Sequence, residues 1–337
     1  MARKLIFFIL TFVVFSSAWL VSEQKKASTS ITKSVLYPNL LENFNQVSQI
    51  KIRNNKKEIT LQKIGQQWMI SENDNFLAKT ELIRRLLLQI AHLKKIEKKS
   101  TSKAGHRVLG VNDLEEEGIP RRQITFSTSS NITLANLIIG KKIADTTSKR
   151  YFARKNDEAQ SWVIEGAVDF SAQPIAWVDS KIINIEPERI KSVVIETKGE
   201  PTVTVTKTDR SKTLFTLQDI PEGGKAKSAT LISSFGSVLN DLRFDDVLSS
   251  KKLAGAVPIR STTVQLFGNT EVILLDYSLK GKVYTKIKFE NTKNGETIKN
   301  PDYSKHALSN EQQKWVYLLP RYKRRIIERK FTSLFQK

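Results

Sequence analysis

The side chains with the most distinctive chemistry lie near the C-terminus, where the chain reads PRYKRRIIERKFTSLFQK. Four cationic residues there are candidates for contact with an anionic surface or a partner: Arg321, Arg324, Arg325 and Lys330. Apolar residues recur among them at helical spacing: Ile327, Phe331, Leu334 and Phe335. Pro320 can begin a helix, and a basic amphipathic helix can bind a membrane surface or a partner protein. The pattern also fits a terminal helix that closes the preceding module and leaves its basic face in solvent.

The acidic side chains form no comparable pattern. Residues 115–117 are three consecutive glutamates that follow Asp113. Adjacent carboxylates in one loop seldom converge on a single cation, so we expect a solvated loop here. Asp245 and Asp246 follow the second helical stretch, and we expect them to face solvent as well.

The residue types that most often carry catalysis or hold metals are scarce. The chain has no cysteine and three scattered histidines, which excludes disulfides, thiol nucleophiles and cysteine zinc sites and disfavours a histidine metal site. The phosphate-loop, dinucleotide-binding and HExxH motifs are absent from the sequence. We therefore expect a non-enzymatic protein with no catalytic residue, no cofactor and no metal.

The overall charge indicates anionic partners. Lysine and arginine number 55 against 34 aspartates and glutamates, which gives a net charge of +21 over 337 residues. Such a surface favours nucleic acid, phospholipid head groups or acidic wall polymers.

The N-terminal segment narrows the choice among these anionic partners. Residues 5–21 read LIFFILTFVVFSSAWLV without a charge, and Arg3 and Lys4 precede them. As a helix this segment would rise about 26 Å, slightly less than a hydrocarbon core of about 30 Å. An uncleaved anchor and a cleaved signal segment both remain open. Either one exports the rest of the chain, so we expect a single-pass protein of the inner membrane, with its bulk in the periplasm or otherwise outside the cytoplasm, and no nucleic-acid partner.

Two helical stretches repeat one apolar pattern and organise the remaining chain. Residues 82–94 read LIRRLLLQIAHLK, and residues 231–243 read LISSFGSVLNDLR. At a constant offset Leu86 corresponds to Phe235 and Ile90 to Leu239, on the spacing of one helix face. We expect the first helix to span residues 79–98 with Thr80 as its N-cap, and the second to be capped by Ser228 or Thr230.

Short β-type runs surround both helices in the same order. Those of the first copy are residues 50–52, 59–61, 68–70, 123–126, 132–134, 151–152 and 162–164. Those of the second copy are residues 193–195, 203–207, 215–217, 263–266, 272–274, 283–289 and 315–317.

These patterns predict an α+β fold with an internal repeat. Each of the two related modules would be an antiparallel β-meander covered by one long helix, after an N-terminal transmembrane helix. The expected divisions are an anchor or signal segment with its tether at residues 1–33, a first module at 34–188, and a second module with the basic C-terminal helix at 189–337.

Several stretches of the first copy resemble a known family. They are ITLQKIGQQWMI, AKTELIRRLLLQIAHLK, RVLGV at residues 107–111, NLIIGKK and YFARKNDEAQSWVI. Together with the hydrophobic N-terminus they resemble the uncharacterised domain-of-unknown-function family 4340 over most of residues 45–240. The family has no assigned reaction, so the resemblance implies no active-site residue.

The resemblance also implies a setting. Some family members are encoded beside ABC-type transport components of the gliding-motility auxiliary kind. We therefore expect a membrane-anchored scaffold or accessory subunit of a membrane complex, such as an ABC transporter, with a membrane-protein partner. The alternative is a binding module for anionic lipid or cell-wall polymer.

Overall fold

A computed structural model describes residues 33–144, 147–268, 270–293, 296–297 and 312–336, with side chains described to residue 290 and again from 312. The predicted anchor at residues 5–21 lies outside these ranges. No helix within them has the length and hydrophobicity needed to cross a lipid bilayer.

Short antiparallel strands dominate the described chain. The strands up to residue 183 are β1 (Ser34–Val35), β2 (Gln49–Asn54), β3 (Glu58–Ile64), β4 (Gln67–Ile70), β5 (Phe76–Leu77), β6 (Lys94–Lys98), β7 (Arg122–Ser127), β8 (Thr133–Ile143), β9 (Arg150–Lys155), β10 (Ser161–Glu165) and β11 (Lys181–Ile183). The later strands are β12 (Ile190–Thr197), β13 (Val203–Thr206), β14 (Thr216–Leu217), β15 (Lys225–Ala226), β16 (Leu242–Arg243), β17 (Asp246–Ser249), β18 (Arg260–Leu266), β19 (Thr270–Leu279), β20 (Lys282–Lys293), β21 (Glu296–Thr297), β22 (Trp315–Leu318) and β23 (Phe335–Gln336). Every strand run predicted from the sequence overlaps one of these strands, so those predictions are confirmed.

The α-helices are few and short. Those within the described residues are α1 (Thr80–Ala91), α2 (Lys103–Leu109), α3 (Ala229–Ser233) and α4 (Arg321–Ile327). A 3-10 turn at Ser234–Ser237 follows α3 directly.

The described chain divides into two compact units, one of residues 33–57 with 84–170 and one of residues 58–83 with 171–336. In the first unit the strands are hydrogen-bonded in the order β1-β6-β10-β9-β8-β7-β2, and every pairing is antiparallel. Its core comes from the alternating inward side chains of these strands, such as Ile50, Ile124 and Leu137.

The second unit has its own antiparallel sheet, in the order β14-β13-β12-β18-β19-β20-β22-β17. The meander β3-β4-β5 belongs to the same unit. Asn73, just after β4, donates hydrogen bonds to Asp246 Oδ1 (2.9 Å) and to the carbonyl oxygen of Val247 (2.8 Å), which joins the meander to β17.

The two units share one strand order. Six neighbouring strands of the first unit have the order β6-β10-β9-β8-β7-β2, and six of the second unit have the order β17-β22-β20-β19-β18-β12. Strands at the same position in these two series also follow one another in the same order along the chain. A helix precedes the first strand of this series in both cases, α1 before β6 and α3 before β17.

The matched apolar positions of the helical stretches are buried in both units. Leu86 and Ile90 are at most 1% exposed, and their counterparts Phe235 and Leu239 are fully buried. Ser228 caps α3 by accepting a hydrogen bond from the backbone nitrogen of Leu231, so one of the two alternative caps is confirmed.

The predicted length of the first helix is wrong at its C-terminal end. The helix ends at Ala91, and β6 follows at Lys94–Lys98, where the prediction had helix. The sequence KKIEK indicated a helix C-terminus, because cations are favourable there. It also fits a strand, and pairing with β10 on one side and β1 on the other provides backbone hydrogen bonds that outweigh the local preference.

The second stretch is not a long helix either. It forms one turn of α-helix and then the 3-10 turn, because its residues favour the helix weakly. Ser234 and Ser237 turn their hydroxyls back onto the carbonyl oxygens of Leu231 and Ser234, at 2.6 and 2.7 Å. The structure is therefore an antiparallel β fold with few helices, in place of sheets covered by long helices.

Candidate anion-binding surface

The apolar side of the C-terminal segment is packed against the protein. Ile326 and Ile327 of α4 are buried, as are Phe331 and Leu334 beyond it, while Phe335 is half-buried. Helix α4 begins directly after Pro320, as the sequence predicted. The apolar stripe thus serves the protein interior, and any external contact must use the opposite side.

A buried lysine fixes the orientation of α4. Lys323 is 5% exposed, and its Nζ donates hydrogen bonds to the carbonyl oxygens of Ser237 (2.6 Å) and Asn240. Ser237 is the last residue of the 3-10 turn after α3, and Asn240 lies three residues beyond it, so Lys323 holds α4 against this part of the second unit. Burial lowers the pKa of Lys323, and nearby Asp241 partly opposes that change.

Arg329 makes a second attachment to the same element. Its Nη1 donates to the carbonyl oxygen of Leu231 (3.3 Å) and to Ser234 Oγ, and its guanidinium lies 5.6 Å from the ring centre of Phe235. Burial lowers the pKa of Arg329. Sequence reasoning singled out neither Arg329 nor Lys323. The spacing of Lys323 from Ile326 and Ile327, three and four residues, was the signal that it shares their buried face.

Two of the four predicted residues lie together on the outer side of α4. Arg321 and Arg325 are exposed and one helical turn apart. Within the described part of the chain neither side chain makes an ion pair or a hydrogen bond. The structure therefore places two uncompensated guanidinium groups side by side on a helix that is fixed from behind.

The other two predicted residues are engaged locally. Arg324 Nε donates to the carbonyl oxygen of Leu319 (3.1 Å), and its Nη1 lies 3.9 Å from Glu328 Oε1. Lys330 Nζ lies 2.7 Å from Glu200 Oε1, in a largely exposed pair. Surface pairs of this kind contribute about 0–1 kcal/mol, so both side chains can exchange partners at small cost.

The acidic groups flagged by the sequence have structural partners. Glu115 Oε1 lies 2.8 Å from Arg53 Nη2, and this hydrogen bond holds the pKa of Glu115 below its usual value. The expectation that Asp246 faces solvent is wrong. Its Oδ2 accepts a hydrogen bond from the hydroxyl of Tyr284 (2.7 Å), and its Oδ1 accepts one from Asn73.

A polar cavity of about 320 Å³ in the first unit contains both acidic and basic groups. Arg154, 6% exposed, binds the carboxylate of Asp113 and donates from Nε to the carbonyl oxygen of Val111 (2.8 Å). His106 Nε2 lies 2.8 Å from the carbonyl oxygen of Ala159. Over the ranges that the structure describes, no three acidic or histidine side chains meet in a way that could hold a metal ion.

Two glycines from the stretches RVLGV and NLIIGKK meet in the first unit. A Cβ at Gly140 would lie 2.4 Å from the carbonyl oxygen of Leu109 and 2.5 Å from that of Gly110. Gly110 itself ends α2 with φ +72°, a conformation that favours glycine. The end of α2 thus packs against β8 at a distance that excludes any side chain.

These features define an antiparallel β protein with two sheets of matching strand order and a basic C-terminal helix on the second unit. The chain belongs to the family described as Domain of unknown function (DUF4340), whose model matches residues 68–257, more than half of its length. The family resemblance predicted from the sequence is confirmed. The comparison with curated proteins found no match, and the comparison with solved structures found none either.

Proposed function

We propose that the protein is a non-enzymatic, membrane-anchored envelope protein. It acts as a scaffold or accessory subunit of a membrane complex, such as an ABC transporter, and it contacts anionic groups through α4. One observation carries the contact: Arg321 and Arg325, without an ion pair or hydrogen bond in the described chain, lie on the outer side of a helix whose inner side is fixed by Lys323.

The anchor is part of the proposal. Residues 5–21 stay attached in the inner membrane, with Arg3 and Lys4 on the cytoplasmic side and the bulk of the chain in the periplasm. Tethering raises the effective concentration of α4 at the membrane surface. An interaction of about 1 kcal/mol per basic residue then suffices to bias its orientation.

We also propose that the two modules, residues 34–188 and 189–337, are copies of one ancestral unit. The shared strand order supports this, as does the burial of Leu86 with Phe235 and of Ile90 with Leu239. A scaffold made of two such sheets offers extended surfaces to a membrane-protein partner. In vivo crosslinking followed by identification of the captured membrane protein tests that partner.

Lipid contact is tested on the full chain reconstituted in nanodiscs. Because the chain lacks cysteine, Thr332→Cys provides a unique position for an environment-sensitive fluorophore on the exposed C-terminal segment. We expect quenching by lipid-borne nitroxide in discs containing phosphatidylglycerol, and much less in discs of phosphatidylcholine alone. The quenching should decrease with salt, because exposed charges are screened over about 8 Å at physiological ionic strength.

The double variant Arg321→Gln/Arg325→Gln should lose most of this quenching. Its matched control is Lys191→Gln/Lys198→Gln, which removes the same charge from exposed positions of the same unit. Equal quenching in both variants, or quenching indifferent to salt, contradicts the lipid contact. The alternative ligand, an anionic cell-wall polymer, is tested by pulldown with the same pair of variants.

A further inference from the structure

A cavity of about 610 Å³ lies in the first unit, remote in sequence from α4. It is lined by the turn after β2 and by the residues that lead into β7, including Asn54, Asn55, Lys56, Arg121 and Arg122. The antiparallel register of β2 and β7 sets Asn54 opposite Arg122, which brings this turn beside the arginine pair. The volume falls within the range of about 300–1,000 Å³ that is usual for small-molecule sites.

Arg121 is the buried charge of this cavity. It is 2% exposed, and its Nη1 donates to the carbonyl oxygen of Ile119 (3.1 Å), while Nη2 donates to those of Asp113 and Glu116. Its Nε is buried without a hydrogen-bond partner among the described residues. Burial lowers the pKa of Arg121, because removing its cation from water is unfavourable in free energy. A buried donor without a partner is unfavourable in free energy, and Arg121 contributes to the cavity through its positive charge and not through an accessible donor.

The two asparagine side chains of the cavity offer donors to a ligand. Asn54 Oδ1 accepts from the backbone nitrogens of Lys56 and Lys57, both at 2.8 Å, and Asn55 Oδ1 accepts from that of Arg121 at 3.1 Å. Both amide oxygens are therefore used. Within the described residues the two amide nitrogens, which can only donate, have no partner.

The lining is also strongly cationic. Lys56 is exposed, and its ammonium group has no ion pair in the described chain. Arg122 is half-buried, with its guanidinium 4.8 Å from the ring centre of Phe170. Its Nη1 donates to the carbonyl oxygens of Phe170 (3.1 Å) and Val168 (3.4 Å), while Nε and Nη2 have no hydrogen-bond partner within the described residues. Three of the residues that line the cavity are cationic and none is acidic.

We propose that this cavity binds an organic phosphate, a phosphate group carried on a small polar body such as glycerol. Guanidinium, ammonium and amide donors match the oxygens of a phosphate, and the volume leaves room for the attached body. The inference goes beyond the proposed function, because it concerns other residues on another unit. Either can fail while the other stands.

The experiment is a calorimetric titration of the purified full chain with inorganic phosphate and with glycerol phosphate. A parallel arm uses nanodiscs with and without phosphatidylglycerol and separates a soluble ligand from a lipid head group. The test variant is Lys56→Glu, which reverses an exposed charge of the cavity and leaves the buried arginines intact. Lys57→Glu is the matched control, since Lys57 is the next exposed lysine and does not line the cavity.

We expect Lys56→Glu to weaken binding about tenfold or more, as the loss of one charge-assisted contact predicts, and Lys57→Glu to stay within about twofold. This difference with a soluble phosphate supports a site for a free ligand. The same difference seen only with phosphatidylglycerol discs supports a site for a lipid head group. No binding by the unaltered chain, or binding by Lys56→Glu that is no weaker than binding by Lys57→Glu, overturns the proposal.

Discussion

Lys323 Nζ lies 2.6 Å from the carbonyl oxygen of Ser237, and this contact joins the C-terminal helix to the turn after α3. We predict that Lys323→Met destabilises the protein by about 1–3 kcal/mol, because two partly buried carbonyls lose their charged donor. Urea unfolding measures the change. Arg321→Met on the exposed side of the same helix is the control and should shift stability by no more than about 0.5 kcal/mol. Equal effects of the two substitutions would show that Lys323 has no structural role.

The helical positions matched between the two units should respond alike to truncation. Leu86→Ala and Phe235→Ala each remove a buried side chain and should cost about 2–5 kcal/mol in free energy of unfolding. Leu88→Ala, at a position 39% exposed, is the control and should cost far less. A small loss at Leu86 or Phe235 would contradict their assignment as the central core residues of the helical stretches.

The ion pairs of Glu165 predict a pH dependence. Its carboxylate accepts from Ser148 Oγ (2.8 Å) and Arg150 Nε (3.1 Å), and these contacts hold the pKa of Glu165 below its ordinary value. The unfolded chain therefore binds the proton more readily. The stabilisation is present above the ordinary pKa of 4.5 and is lost as pH falls through the folded value.

Glu165→Gln should accordingly lower stability near pH 7 by about 1 kcal/mol or less, since the group is partly exposed, and should change it little near pH 3. Denaturant titrations at both pH values measure this. Glu222→Gln, at an exposed position without a partner in the described chain, is the control. A loss that is the same at both pH values would argue against an electrostatic origin.

The contact between Gly140 and the end of α2 predicts a steric penalty. Gly140→Ala would place a Cβ 2.4 Å from the carbonyl oxygen of Leu109, so we expect a loss of about 2–3 kcal/mol. Gly65→Ala is the comparison, because Gly65 has φ +61° and open space around it, which isolates a backbone cost of about 1 kcal/mol. Thermal unfolding should rank Gly140→Ala as the more damaging substitution, and the reverse order would refute the close approach.

The N-terminal segment should remain on the mature protein. Residues 5–21 exceed the usual length of a signal core, about 7–15 residues, so we predict an uncleaved anchor. Intact-mass measurement of the protein purified from membranes gives the answer directly. A mature chain that starts near Trp19 would show cleavage.

Much of the secondary structure follows from local pattern. The short runs around Ile50, Trp68 and Val193 became strands because β-branched and aromatic residues are concentrated there. Leu86 and Ile90 are buried because they lie one turn apart on a single face of a helix. The division into modules at residue 188 and the binding role of Arg321, Arg324, Arg325 and Lys330 stay predictions.

Pairing between distant segments decided the rest. Lys94–Lys98 became a strand because β10, more than sixty residues later, offers it a ladder of backbone hydrogen bonds. Lys323 is buried because carbonyl groups from a distant segment, those of Ser237 and Asn240, meet its side chain, although lysine is ordinarily a surface residue. Local preferences set which segments could be strands or helices, since they act over a few residues. Long-range hydrogen bonding and burial chose among these possibilities, because those energies exist only once the sheets have formed.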